Sequence, residues 1–188
     1  VTRGEWNVDA VLRVDEASRT VWFTGMGREG GDPYFHYFYK ASLDGGEPVL
    51  LTRERADHKI TLSPDGTHFL DVLSTVDTAP VALVRDSADG RVAGELATAD
   101  LTRLQAAGWV PPERITVKGR DGSTDLYGLL FKPAHFDPQK KYPVVVYVYP
   151  GPQVGSVRSR SFLAAHGDNQ SLAELGFIVV AVDGMGTP

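Results

Sequence analysis

A chain of 188 residues is long enough for one large or two small domains, each with a buried core. Its 42% hydrophobic and 10% aromatic content excludes a disordered chain, and a net charge of -5 leaves no basic footprint for nucleic acid or anionic lipid. Cysteine is absent, which excludes a disulfide framework, a thiolate nucleophile and thiolate metal sites, and no apolar run reaches membrane-spanning length.

The chain opens on Val1-Thr2-Arg3-Gly4, with neither an initiator Met nor a signal-peptide pattern, so it reads as a segment beginning inside a longer protein. Two groups of short strand signals follow. In the first, Val8 to Val14 alternates loosely and Thr20 to Thr24 is aromatic and β-branched; Tyr34 to Ala41 and Pro48 to Thr52 complete it. The second comprises His58 to Leu62, His68 to Thr75, Pro80 to Arg85 and, weakly, Arg91 to Leu96. Leu43-Asp44-Gly45-Gly46 and Ser63-Pro64-Asp65-Gly66 supply turn chemistry, with Pro setting φ and Gly tolerating positive φ. Two units of four strands, each near the length of a propeller blade, form an internal repeat; a β-sandwich is the plainer alternative for eight short strands.

Gly25-Met26-Gly27-Arg28-Glu29-Gly30 matches the spacing of a dinucleotide fingerprint. Gly31-Asp32-Pro33 then breaks rather than opens a helix, so no helix N-terminus is available for a pyrophosphate, and the stretch reads as a loop. His36, His58, His68, His135 and His166 are scattered without metal-ligand spacing and read as structural, so neither metal nor cofactor is expected.

Past Thr98 the pattern changes. Asp100 can cap a short helix carrying Leu101, Leu104 and Ala107, which Gly108 ends. Trp109-Val110-Pro111-Pro112 reads as a linker. Glu113 to Lys118 and Leu126 to Lys132 pair as a hairpin around Arg120-Asp121-Gly122-Ser123. A polar loop then leads to Tyr142-Pro143 and the apolar run Val144 to Val148, stopped by Pro150-Gly151-Pro152, the pattern of a strand covered on both faces. A helix ending near Gly176 and a second apolar strand, Phe177 to Val182, give a parallel strand-helix-strand crossover. Chemistry in such sheets sits just past the carboxyl ends of the strands, here Tyr149 and the run Asp183-Gly184-Met185-Gly186. Tyr149 offers a phenolic donor for a developing oxyanion; the alternative is a packing tyrosine with its hydroxyl at the rim. Asp183 reads as the acceptor of a local turn hydrogen bond.

The stretch Tyr-Pro-Val-Val-Val-Tyr-Val-Tyr-Pro-Gly-Pro over 142–152, with Leu-Gly-Phe-Ile-Val-Val-Ala-Val-Asp-Gly-Met-Gly over 175–186, resembles the prolyl oligopeptidase family in its dipeptidyl peptidase IV branch. The resemblance implies β-propeller blades over 1–97, a helix and linker over 98–112, and the first part of an α/β-hydrolase domain over 113–188. It also implies that Tyr149 helps to form the oxyanion hole. Asp183, Gly184 and Gly186 match the family's pattern, whereas Met185 stands where arginine is usual.

No serine here has glycine two residues before and two after it, as a hydrolase nucleophile elbow requires. The expectation is therefore a segment of a serine exopeptidase that releases N-terminal dipeptides from peptide substrates, silent on its own and without a cofactor. Relatives often form homodimers through the hydrolase domain. Two other readings stay open: a different peptidase of the same family, such as an oligopeptidase or acylaminoacyl peptidase, or a non-catalytic propeller module for protein interaction.

Overall fold

A computed structural model describes residues 2–149 and 154–187. The Pro150-Gly151-Pro152 corner expected to end the apolar run lies outside the described residues. The chain divides into two compact units, Val1–Ala99 with Ser159–Phe162, and Asp100–Arg158 with Leu163–Pro188.

The first unit holds two four-stranded antiparallel sheets, each a meander in chain order. One comprises β1 (Asn7–Asp15), β2 (Thr20–Met26), β3 (Tyr37–Ser42) and β4 (Val49–Leu50); the other comprises β5 (Asp57–Leu62), β6 (His68–Thr75), β7 (Thr78–Asp86) and β8 (Val92–Thr98). Both have the strand number and connectivity of propeller blades.

Burial follows the strand alternation, and β3 shows why. Tyr37, Tyr39 and Ala41 pack with Val21, Phe23 and Phe35 on one face, whereas Phe38 on the other meets Leu51 and Phe69 of β6. With apolar side chains on both faces, β3 is covered by its own sheet's cluster and by the second sheet. Phe38 and Phe69 meet edge to face, their ring centroids 4.8 Å apart. The strand starts three residues later than its sequence suggests, because Asp32-Pro33-Tyr34-Phe35 turns instead, with Phe35 N–H on the Asp32 carbonyl at 3.2 Å. At Ser63-Pro64-Asp65-Gly66 the Asp65 carboxylate accepts from Thr67 N–H at 3.1 Å, and Gly66 takes φ +74°. The glycine-rich stretch after β2 forms a loop, over which Arg28 spreads across the Trp6 ring, 5.3 Å from its centroid.

The second unit contains α1 (Thr102–Ala106), β9 (Glu113–Lys118), β10 (Asp125–Phe131), β11 (Val144–Tyr147), α2 (Asn169–Glu174) and β12 (Ile178–Val182). Leu101, not Asp100, occupies the N-cap position of α1; Asp100 instead accepts from the Thr102 N–H at 2.8 Å. The hairpin β9–β10 closes on Asp121, whose carboxylate accepts from Ser123 and Thr124 N–H groups at 3.0 and 2.9 Å. The sheet order is β11-β12-β10-β9, in which β11 runs parallel to β12 and the other neighbours are antiparallel. Ala173 of α2 and Leu129, Phe131, Val179 and Ala181 of the sheet form the buried centre.

Among the described residues Val144 to Val148 is not covered on both faces, as its composition leads one to expect it would be. β11 lies at the edge of its sheet, with Val144 60%, Val146 62% and Val148 59% exposed. A β-branched run states how much apolar surface a strand has to hide, not which element hides it. Among the described residues no strand flanks the outer side of β11.

Candidate functional site

The carboxyl ends of β11 and β12 are linked through Ser156 and Val157. Tyr149 N–H donates to Ser156 Oγ at 2.7 Å. Ser156, 6% exposed, gives its own N–H to Asp183 Oδ1, and Val157 N–H reaches the same oxygen at 3.2 Å. Asp183 thus accepts from a loop 26 and 27 residues earlier in the chain, a partner that the expected local turn bond did not include. The reason is position: a buried carboxylate at the end of β12 needs N–H donors, and the loop leaving β11 presents two in succession. Gly155 allows this approach, since a Cβ there would collide with Asp183 Oδ2.

Tyr149 itself is 46% exposed. Its backbone N–H, two residues past the end of β11, is held by Ser156. Met185 is 61% exposed and carries no charge to the same sheet end. Sequence reasoning picked out Tyr149 and Asp183 separately. It missed that Ser156 links them, because neither spacing nor residue type marks a serine whose partners lie 7 and 27 residues away.

A second set of polar residues, in the first unit, was read from sequence as unconnected histidines. His36 Nδ1 lies 2.7 Å from Asp57 Oδ1, and its Nε2 lies 3.9 Å from Asp9 Oδ2. The hydrogen bond to Asp57 raises the His36 pKa against the opposing effect of burial. For Asp57 burial pushes upward, yet hydrogen bonds from His36, Ser159 and Ser161 bring it down to about 2. These groups line a cleft of about 290 Å³.

Nearby in the second sheet, His58 Nδ1 lies 2.9 Å from Asp71 Oδ1, both side chains fully buried. Arg85 bridges Asp71 at 2.9 Å and Glu54 at 2.8 Å. Glu54, His58 and Asp71 have ligand atoms within 4.8 Å of one another, the spread of a metal site. The Arg85 guanidinium bonds both carboxylates, so the cationic charge that a metal would bring is already supplied by a side chain.

Residues 1–80 match the family model described as the dipeptidyl peptidase IV (DPP IV) N-terminal region. The whole chain aligns with dipeptidyl peptidase 8 of Mus musculus at 33% identity, covering 22% of that protein. It aligns equally with dipeptidyl-aminopeptidase B of Aspergillus niger at 33% identity, covering 21%. The crystal structure of a Bacteroides ovatus protein attributed to the dipeptidyl aminopeptidase IV type superposes on 97% of this chain with a TM-score of 0.79 and 32% identity, and 25% of that protein is covered. The chain thus spans about a fifth of the length of the curated relatives it matches.

Proposed function

The chain belongs to the dipeptidyl peptidase IV branch of the prolyl oligopeptidase family, and from that premise we propose that it is a segment of a serine exopeptidase removing N-terminal dipeptides from peptides. In this reading the sheets of the first unit are blades of a β-propeller over 1–97, and 98–112 is the helix and linker. Residues 113–188 begin an α/β-hydrolase domain, and the exposed face of β11 is covered by further parts of the full-length protein.

The observation that carries the reading is the placement of Tyr149 at the end of a strand parallel to β12, with its backbone N–H held by Ser156. Peptide hydrolysis by a serine enzyme needs three things: a nucleophile made basic by a histidine, an acid that orients that histidine, and donors for the oxyanion. Tyr149 supplies the third through its phenolic O–H, a fixed donor that strengthens as negative charge collects on the carbonyl oxygen. The nucleophile elbow is not among these 188 residues, so the reading assigns serine, acid and histidine to other parts of the enzyme.

Tyr149→Phe in the full-length protein tests this. The variant is expected to fold normally and to lose about 10²-fold in kcat on a Gly-Pro chromogenic substrate, the usual effect of removing one oxyanion donor. Unchanged turnover would remove Tyr149 from the mechanism. Preference for acetyl-alanyl over Gly-Pro substrates in the parent enzyme would move the assignment to another peptidase of the family.

A further inference from the structure

Within the first unit, β1 is the edge of its sheet, paired with β2 alone, and most of its residues are exposed. Its register against β2 shifts between Val8 and Ala10 and again between Val11 and Arg13, leaving Asp9 and Leu12 without a partner on β2. Irregularities of this kind re-aim side chains, and here Asp9 and Leu12 both line the cleft of about 290 Å³ that His36 and Asp57 share. Two side chains of β1 reach beyond β2. Arg13 Nη1 donates to the Pro64 carbonyl at 3.0 Å, and Asp9 Oδ2 lies 3.9 Å from His36 Nε2.

His36 therefore stands between two carboxylates. Asp57, 4% exposed, accepts the His36 backbone N–H on Oδ1 at 2.9 Å and the Ser159 and Ser161 hydroxyls on Oδ2. An ionised carboxylate only accepts, so His36 Nδ1, 2.7 Å from Oδ1, carries hydrogen whether the ring is neutral or charged. The neutral ring then turns a bare lone pair at Nε2 toward Asp9, whereas the charged ring turns an N–H there. The two states differ at one atom, and that atom faces β1. Asp9 Oδ2 is itself held by Thr24 Oγ1 at 3.1 Å. The other ionisable groups nearby have different partners or face solvent: the His58 ring bonds Asp71 and the Glu54 carbonyl, Asp32 pairs with Arg160, and Lys59 lines the cleft exposed.

We propose that His36 is a pH-operated latch on the edge strand: charged, it ties Asp9 of β1 to Asp57 of β5 and closes the cleft; neutral, it keeps Asp57 and releases Asp9. The hydrogen bond to Asp57 raises the His36 pKa above 6.5, and the charges of Asp57 and Asp9 act in the same direction. A raised folded value means that the tie is complete below 6.5 and is lost as pH rises through the folded value. Arg13 stays charged throughout and keeps its hold on Pro64, so the release is confined to the N-terminal half of β1.

Hydrogen exchange in the full-length protein, read on overlapping peptides, tests the latch. After correction for the intrinsic pH dependence of exchange, protection over 7–11 falls about two- to fivefold between about pH 6 and about pH 9, the effect of losing a partly exposed ion pair, while protection over 13–15 does not change. In Asp9→Asn and in His36→Gln, protection over 7–11 stays at one level across that range. A pH response over 7–11 that survives Asp9→Asn, a flat profile in the wild type, or a response shared equally by 13–15 would each overturn the proposal. The Asp9 side chain is 46% exposed, so Asp9→Asn keeps the test decisive if His36→Gln does not fold.

Discussion

Gly155 and Asp57 show how much rests on single atoms in this chain. Gly155 passes the Asp183 carboxylate so closely that any side chain would collide with it. Gly155→Ala is therefore expected to lower stability by about 1–3 kcal/mol, the usual range for overpacking, seen as a lower urea midpoint. Asp57 acts through charge. Its carboxyl titrates near 3.8 when free and at about 2 when folded, so its stabilisation is complete above the free value and lost as pH falls towards 2. His36 is raised from 6.5, so its contribution is complete below that value and lost as pH rises through the folded one. The pair is thus at full strength between about pH 4 and 6.5. On going from about pH 5 to about pH 3, Asp57→Asn is expected to lose less stability than the wild type, by about 2 kcal/mol at most. An identical acid dependence in the two proteins would show that Asp57 is not the group responsible.

At the scale of elements, the sequence was informative where the rule is local. The Ser63-Pro64-Asp65-Gly66 turn and the Arg120-Asp121-Gly122-Ser123 hairpin each carry their cause within a few residues, and β5, β6, β9 and β10 begin and end within a residue or so of their expected limits. It was silent where the outcome depends on what lies opposite. Val144 to Val148 has the composition of an interior strand, yet β11 is an edge with exposed valines. An exposed apolar edge is a template for pairing with another copy. The 188-residue chain should therefore self-associate with rising concentration, and Val146→Lys should reduce that association without lowering the unfolding midpoint, as read by sedimentation. Undiminished association in the lysine variant would place the sticky surface elsewhere.

For the molecule as a whole, the candidate site divides by the same logic. Tyr149 and Asp183 were visible because strand ends are where an α/β layer does chemistry. The Ser156 link was not, nor, separately in the first unit, were the contacts of Asp57 with Ser159 and Ser161, since a serine or an aspartate meeting a partner 7 to 104 residues away leaves no periodic trace. An oxyanion donor stabilises a transition state only after a nucleophile has attacked, and these 188 residues hold no G-x-S-x-G elbow to provide one. On the proposed function, the chain expressed alone should then show neither turnover of a Gly-Pro chromogenic substrate nor labelling by a fluorophosphonate, whereas the full-length protein is expected to show both. Labelling of a serine within these 188 residues would mean that a nucleophile is built here without the elbow, and Ser156, buried against the Tyr149 backbone, would be the first to examine.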